Sequence, residues 1–328
     1  VKFRSLRKDF NIWMPNLAAK LLDRRPSLLV LHDFDGWALD HVFELWFSDV
    51  QSMRIVRRNW ASCATSRAFL GFDAVVFGYL DIYLRFGFDP TRSIVVIHDP
   101  CELFPQIPDW KNAEPDSKRI KVLKSLRGVI VISKEMELVL NRYGIKTCLV
   151  PTMSRLPLVE ASEISYDPVA AVSVFKDYPR KNAELLRQLA RRGEATGKWR
   201  LRLYEKPAFN DADYSDIIDS SPIYVCTSWQ EGGPLPAMDV MSRGGVVVSS
   251  PVGQVQEIIT HGESGFICHG SDDFEKALEL LFSNPEFLLR ARRNSLTAYG
   301  TLRSKKTIKN IAVKTLENYI KINYHVKL

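Results

Sequence analysis

A chain of 328 residues, 46% hydrophobic and 25% charged, has the makeup of a globular protein with room for two domains. No apolar run approaches the roughly 20 residues that cross a bilayer, and the most apolar stretch, 69–84, is interrupted by Asp73 and Asp81. The net charge of +7 is unevenly shared: residues 1–158 hold 23 Lys and Arg against 17 Asp and Glu, the remainder 22 against 21.

A short helix is predicted over 15–25, with Pro15 in its first turn and Phe10 and Trp13 just upstream. Strands are then predicted at 27–32, 53–58, 73–79, 93–99, 128–133 and 146–151. A second series follows at 169–175, 199–204, 222–228, 245–250 and 265–270. Near-continuous Val and Ile runs separated by amphipathic segments indicate parallel sheets covered on both faces. Two sheets of five or six strands suit eleven strands better than one. The seam at 152–168, "TMSRLPLVEASEISYDP", lacks periodicity and sets expected domains of 1–157 and 158–305. Apolar residues at Ile308, Ile311, Ala312, Leu316, Tyr319 and Ile320 predict a closing helix in 306–328 that packs back near the domain junction.

Basic residues concentrate in Lys2–Lys8 with Lys20, Arg24 and Arg25, and in Lys118, Arg119, Lys121, Lys124 and Arg127. Such a face suits an anionic partner or a solvated surface, and no nucleic-acid recognition motif accompanies it. The cysteines Cys63, Cys101, Cys148, Cys226 and Cys268 form no C-x-x-C pair, which predicts reduced thiols in a cytoplasmic setting. No apolar segment follows the basic first residues, so no secretory leader is expected within this sequence.

The chemistry is concentrated in "CTSWQEGGPLPAMDVMSRGG" (226–245). Glu231 stands before Gly232 and Gly233, and a predicted helix begins at Pro234 and Leu235. Glycines admit a ligand close to the backbone, and helix N–H groups favour an anion such as a diphosphate. Asp239 lies about 7.5 Å further along at 1.5 Å per residue, within reach of a ribose diol.

This pattern resembles the E-x7-E motif of retaining glycosyltransferases of family 4, with Asp239 in place of the second Glu. Gly253, Glu257, Gly262 and Gly265 in "GGVVVSSPVGQVQEIITHGESGF" continue the likeness, as does "YPRKNAELL" (178–186). The resemblance implies a GT-B fold: two Rossmann-like parallel-sheet domains facing a central cleft. It also implies a nucleotide-diphosphate sugar as donor substrate, with no metal and no cofactor. Glu231 would orient the sugar, Lys181 with Arg180 would hold the diphosphate, and Asp239 the ribose. Lys176 would replace an arginine whose place is taken by Phe175, His98 would face the sugar, and Gly36 would approach the donor. Asp33, Asp35 and His41 are candidates for the acceptor side. The acceptor would be a glycan or a lipid-linked glycan, in polysaccharide or glycoconjugate synthesis, with peripheral contact to an anionic membrane. "YEKP" (204–207) and "PTMS" (151–154) depart from the family's glycine-rich turns. A sugar-nucleotide epimerase and a non-catalytic sugar-nucleotide-binding module remain alternatives.

Overall fold

The computed structural model describes residues 2–33, 38–48, 50–160, 170–205 and 211–321. Two compact units emerge. Unit 1 gathers Val1–Leu103, Pro115–Pro151 and Lys305–Leu328, and unit 2 gathers Phe104–Glu114 and Thr152–Ser304.

In unit 1 the order is α1 (Lys2–Leu22), β1 (Ser27–His32), α2 (Ala38–Phe47), β2 (Arg54–Asn59), β3 (Ala74–Phe77), α3 (Leu80–Phe86) and β4 (Ser93–Ile97). It continues through α4 (Ser117–Ser125), β5 (Gly128–Val131), α5 (Lys134–Arg142) and β6 (Cys148–Leu149). The strands form a parallel sheet ordered β2-β1-β3-β4-β5-β6. Its central strands β1, β3 and β4 are buried along their whole length, as expected of apolar runs covered on both faces.

Unit 2 contains β7 (Ala171–Phe175), α6 (Ala183–Thr196), β8 (Leu201–Glu205), α7 (Asp211–Asp219), β9 (Ile223–Cys226) and α8 (Leu235–Ser242). It continues with β10 (Val246–Ser249), α9 (Val255–Ile258), β11 (Gly265–Ile267), α10 (Ser271–Ser283) and α11 (Pro285–Leu302). Its parallel sheet is ordered β11-β10-β9-β7-β8. Side chains alternate along these strands. Ala171, Phe175, Ile223, Val225, Val246 and Val248 enter one core with Leu186 and Phe274. Val172, Val174, Tyr224, Cys226 and Val247 enter another with Ile218 and Met238.

Each sheet reverses its strand order once, between β1 and β3 in unit 1 and between β7 and β9 in unit 2. At such a point the loops beyond the strand ends diverge and leave room for a ligand.

Two expectations are corrected, and the closing helix is assigned to a unit. The first helix starts at Lys2 and carries Pro15 inside it, not in its first turn. Tertiary anchoring overrides the local signal, because buried Asp9 accepts hydrogen bonds from Ala64 N (2.8 Å), Thr65 N (3.2 Å) and Thr65 Oγ1 (2.6 Å). The units divide between Pro151 and Thr152 rather than after 157, and the sequence reading missed the early passage of Phe104–Glu114 into unit 2. The closing helix, α12 (Lys305–Lys321), belongs to unit 1. There Tyr319 OH donates to Val129 O (3.1 Å), and its ring lies where a side chain on Gly128 would stand. All five cysteines are free thiols.

Candidate functional site

The loops after β7 and β9 meet at the switch point of unit 2. After β7 the chain makes a 3-10 turn, Pro179–Lys181, and then Asn182 adopts φ 50°, the left-handed region that asparagine tolerates better than most residues. This reversal starts α6 and leaves Arg180 and Lys181 at its entrance. Thr227 Oγ1, from the other loop, donates to Lys181 O (3.2 Å) and Asn182 O (3.1 Å), and Trp229 N donates to Arg180 O (2.7 Å).

Glu231 is the focus of this arrangement. Its side chain is buried, and its carboxylate receives Lys181 Nζ, Arg180 Nη1 (3.3 Å) and Ser228 Oγ (2.8 Å). Burial acts to raise its pKa. The two cations and the bonds from Lys181 and Ser228 outweigh burial and hold the carboxyl below the ordinary glutamate range. An anion is thereby fixed beside two cations at the mouth of a glycine turn. A diphosphate arriving there would meet Arg180 and Lys181, leaving Glu231 to accept hydrogen bonds from hydroxyl groups.

The turn itself is packed against a third glycine. Gln254 N donates to Gly232 O (2.9 Å), and Gly253, at φ 43°, lies so close that a methyl group there would collide with the carbonyls of Glu231 and Gly232. The Gln254 amide covers Gly233 and donates to Thr152 Oγ1 (2.8 Å). The helix N-terminus is poorer in donors than expected. Pro234 and Pro236 have no N–H, and Ala237 N already donates to Pro234 O (2.9 Å), so Leu235 supplies the first turn's remaining N–H.

Asp239 is fully buried on α8. Oδ1 accepts from Ser154 Oγ (2.8 Å) and Arg155 N (2.8 Å), and Oδ2 from Arg155 Nη2 (3.0 Å), Arg155 Nε (3.2 Å) and Tyr214 OH (2.7 Å). The Arg155 guanidinium also lies 4.1 Å from the centroid of the Tyr214 ring. Burial, followed by the Asp239 charge, raises the Tyr214 hydroxyl well above its ordinary pKa, so it stays a neutral donor. The carboxylate expected to meet a ribose is thus saturated by protein groups.

Lys176 sits with its ammonium 5.9 Å from the Tyr178 ring, and Arg180 stands beside Glu231 instead. Phe175 is buried at the end of β7. In unit 1, His98 follows β4, its N–H held by Glu102 Oε1 (2.8 Å) and its ring against Tyr79 (5.6 Å) and Phe43 (6.2 Å). Its buried Nε2 has no hydrogen-bond partner among the described residues, and burial lowers its pKa to about 3, so the imidazole is neutral. Asp33 follows β1 and His41 lies on α2, whereas Asp35 and Gly36 fall outside the described residues. Sequence reasoning missed Ser228, Ser154, Arg155 and Tyr214. The "PTMS" departure was the available signal for Ser154 and its neighbour Arg155.

Two parallel α/β units, each with one switch point, are a GT-B fold, and comparison with known structures agrees. Residues 207–300 match the model of the family "Glycosyl transferases group 1". An uncharacterized glycosyltransferase of Haemophilus influenzae is 35% identical over 89 residues, 26% of this chain and 24% of that protein. The chain thus spans about a quarter of the length of that relative. Staphylococcus aureus TarM, solved with fondaparinux, alpha-GlcNAc-glycerol and UDP, superposes with a TM-score of 0.59 at 13% identity. The match covers 75% of this chain and 55% of TarM. Anabaena HepE, solved with UDP and glucose, gives 0.61 at 12% identity over 88% of this chain and 99% of that one.

Proposed function

We propose that the protein is a glycosyltransferase that moves a sugar from a nucleotide-diphosphate donor to an acceptor hydroxyl with retention of configuration. The observation that carries this reading is the convergence of Arg180, Lys181 and Ser228 on Glu231 beside Gly232 and Gly233, with the serine, the acid and the glycines inside the stretch 207–300 that matches a glycosyltransferase family. The UDP found in TarM and HepE supports a nucleoside diphosphate as the leaving group.

In the proposed reaction Arg180 and Lys181 exchange Glu231 for the donor diphosphate and stabilise the charge that builds as the glycosidic bond breaks. Glu231 then accepts hydrogen bonds from the sugar hydroxyls. The departing diphosphate takes the acceptor's proton on the face it leaves, which gives retention without a pair of catalytic carboxylates. His98, as a neutral imidazole, both donates and accepts and is assigned to the sugar. The two side-chain cations do the neutralising that a metal would otherwise supply, which supports a metal-independent reading. Asp239 serves as the fastener of Arg155 and Tyr214, in place of the ribose contact that the resemblance implies.

No described helix is long and apolar enough to cross a membrane. Among the basic patches, Lys20 pairs with Asp73 and Arg25 with Asp23. Arg119 pairs with Asp81, and Arg127 binds main-chain carbonyls of α12. Lys118, Lys121 and Lys124 remain exposed on α4 and are the proposed contact with an anionic, lipid-linked acceptor. The decisive experiment is calorimetric titration with a panel of nucleotide sugars, followed by measurement of nucleoside diphosphate released with and without glycan acceptors. Acceptor-dependent, stoichiometric release is expected. Binding without release would favour the non-catalytic module, and a changed sugar without net release would favour the epimerase.

A further inference from the structure

The chain enters unit 2 as Phe104–Glu114, well ahead of the linker at Thr152. Residues 105–109 are exposed, while Phe104 and Trp110 at the two ends of this loop are buried with ring centroids 5.2 Å apart, edge to face. Pro105 and Pro108 restrict the backbone between them, and Ile107 N donates to Pro105 O (3.0 Å). The loop is therefore closed on itself and stiff.

Two hydrogen bonds carry it to the rest of unit 2. Trp110 Nε1 donates to Trp229 O (3.1 Å), and Gln230 Nε2 donates to Pro105 O (2.6 Å). Residues 229 and 230 immediately precede Glu231. From the opposite direction, Trp229 N donates to Arg180 O (2.7 Å), and Arg180 Nη1 donates to Gln230 O (3.1 Å) and Glu231 Oε2 (3.3 Å). The peptide leading to the acid is suspended between the arginine and the 104–110 loop. Gln230 is fully buried, where an apolar side chain would avoid the desolvation of an amide. A turn built on two glycines has little stiffness of its own.

We propose that Trp110 and Gln230 are positioning residues of the donor site. They hold 229–231 against Arg180 so that the Glu231 carboxylate stands beside its two cations before the donor binds and beside the diphosphate once the cations have turned to it. The proposal rests on the role given to Glu231 above. Without the tie the turn swings, Glu231 loses Arg180, and its pKa returns toward the ordinary glutamate range.

The test compares Trp110→Phe, which keeps an aromatic body and loses the N–H, with Gln230→Met, which keeps length and loses the amide. Amide exchange of 229–233, measured by hydrogen–deuterium exchange, should quicken in both variants while the cores of β7 and β9 keep wild-type protection. Turnover should fall by about tenfold or more, as sub-ångström to ångström misplacement does. The acidic limb of the pH profile should move to higher pH, and the donor KM should change less than kcat. Wild-type exchange and an unmoved acidic limb in both variants would overturn the proposal. So would an activity loss that merely tracks the unfolded fraction. If the wild type transfers no sugar from any donor, the role of Glu231 fails on its own. Exchange at 229–233 then decides the tie, with quickened exchange supporting it and unchanged exchange refuting it.

Discussion

Arg155 Nη2 lies 3.0 Å from Asp239 Oδ2, and the carboxylate it meets is fully buried. With Ser154, Tyr214 and the Arg155 main chain on the same two oxygens, the acid has no acceptor position left for a ribose unless a protein group leaves.

Asp239→Ala should therefore act first on stability. It strands a mostly buried guanidinium and a buried phenol, and breaking such a pair from one side removes about 3–5 kcal/mol. Asp239→Glu should not rescue it, because an added methylene in a saturated pocket destabilises by about 1–3 kcal/mol. Urea denaturation of both variants checks this. A fully stable Asp239→Ala protein with weakened donor binding would restore the ribose assignment.

Lys181→Ala and Glu231→Ala should each lower transfer by about two orders of magnitude or more, the range seen when a transition-state stabiliser is removed. Lys181→Ala should also weaken binding of the free nucleoside diphosphate, which Glu231→Ala should leave intact or tighten, since it frees both cations. Calorimetry with UDP separates the two residues, and equal losses of UDP affinity would count against the proposed exchange of partners.

Acidification should report the same cluster. Glu231 titrates below its unfolded value, so between the two pKa values the unfolded chain binds more protons and stability rises with pH. The contribution is complete above the unfolded glutamate pKa of about 4.3 and is lost as pH falls through the lower folded value. Glu231→Gln should show a shallower loss of stability across that window. Identical slopes in wild type and variant would mean that the folded structure does not lower the Glu231 pKa.

Much of this was legible in the sequence, because the signals were periodic or local. All eleven strand runs correspond to observed strands, and their β-branched, two-sided character announced parallel sheets. Glu231, its glycines and Lys181 were legible because strand, turn and helix follow one another directly. The rest depends on long-range pairing. Arg155 and Tyr214 reach Asp239 across 84 and 25 residues, and Trp110 reaches Trp229 across 119. No local pattern encodes such a pairing, since any buried polar group wants a partner and the sequence does not say which. The helix at Lys2–Leu22 was hidden for the same reason, its inner face being defined by contacts to 64–65.

Gly253 gives a test of the donor turn that leaves its charged groups untouched. Its φ of 43° already disfavours a side chain, and an alanine methyl would strike the carbonyls of Glu231 and Gly232, which are backbone and cannot step aside without moving the turn. Gly262 makes the matching control, because at φ 75° it carries the same backbone penalty with nothing near the added methyl. Gly262→Ala should lose about 1–2 kcal/mol, the strain of a left-handed non-glycine residue. Gly253→Ala should lose that amount and a clash term besides, and it should lower donor affinity at least tenfold, about 1.4 kcal/mol, because Glu231 and the glycines shift together. Thermal denaturation and donor titration of the pair measure the difference. Equal destabilisation in the two variants with donor affinity preserved would mean that the turn yields freely, and the close packing of Gly253 on Gly232 would then have no part in shaping the donor site.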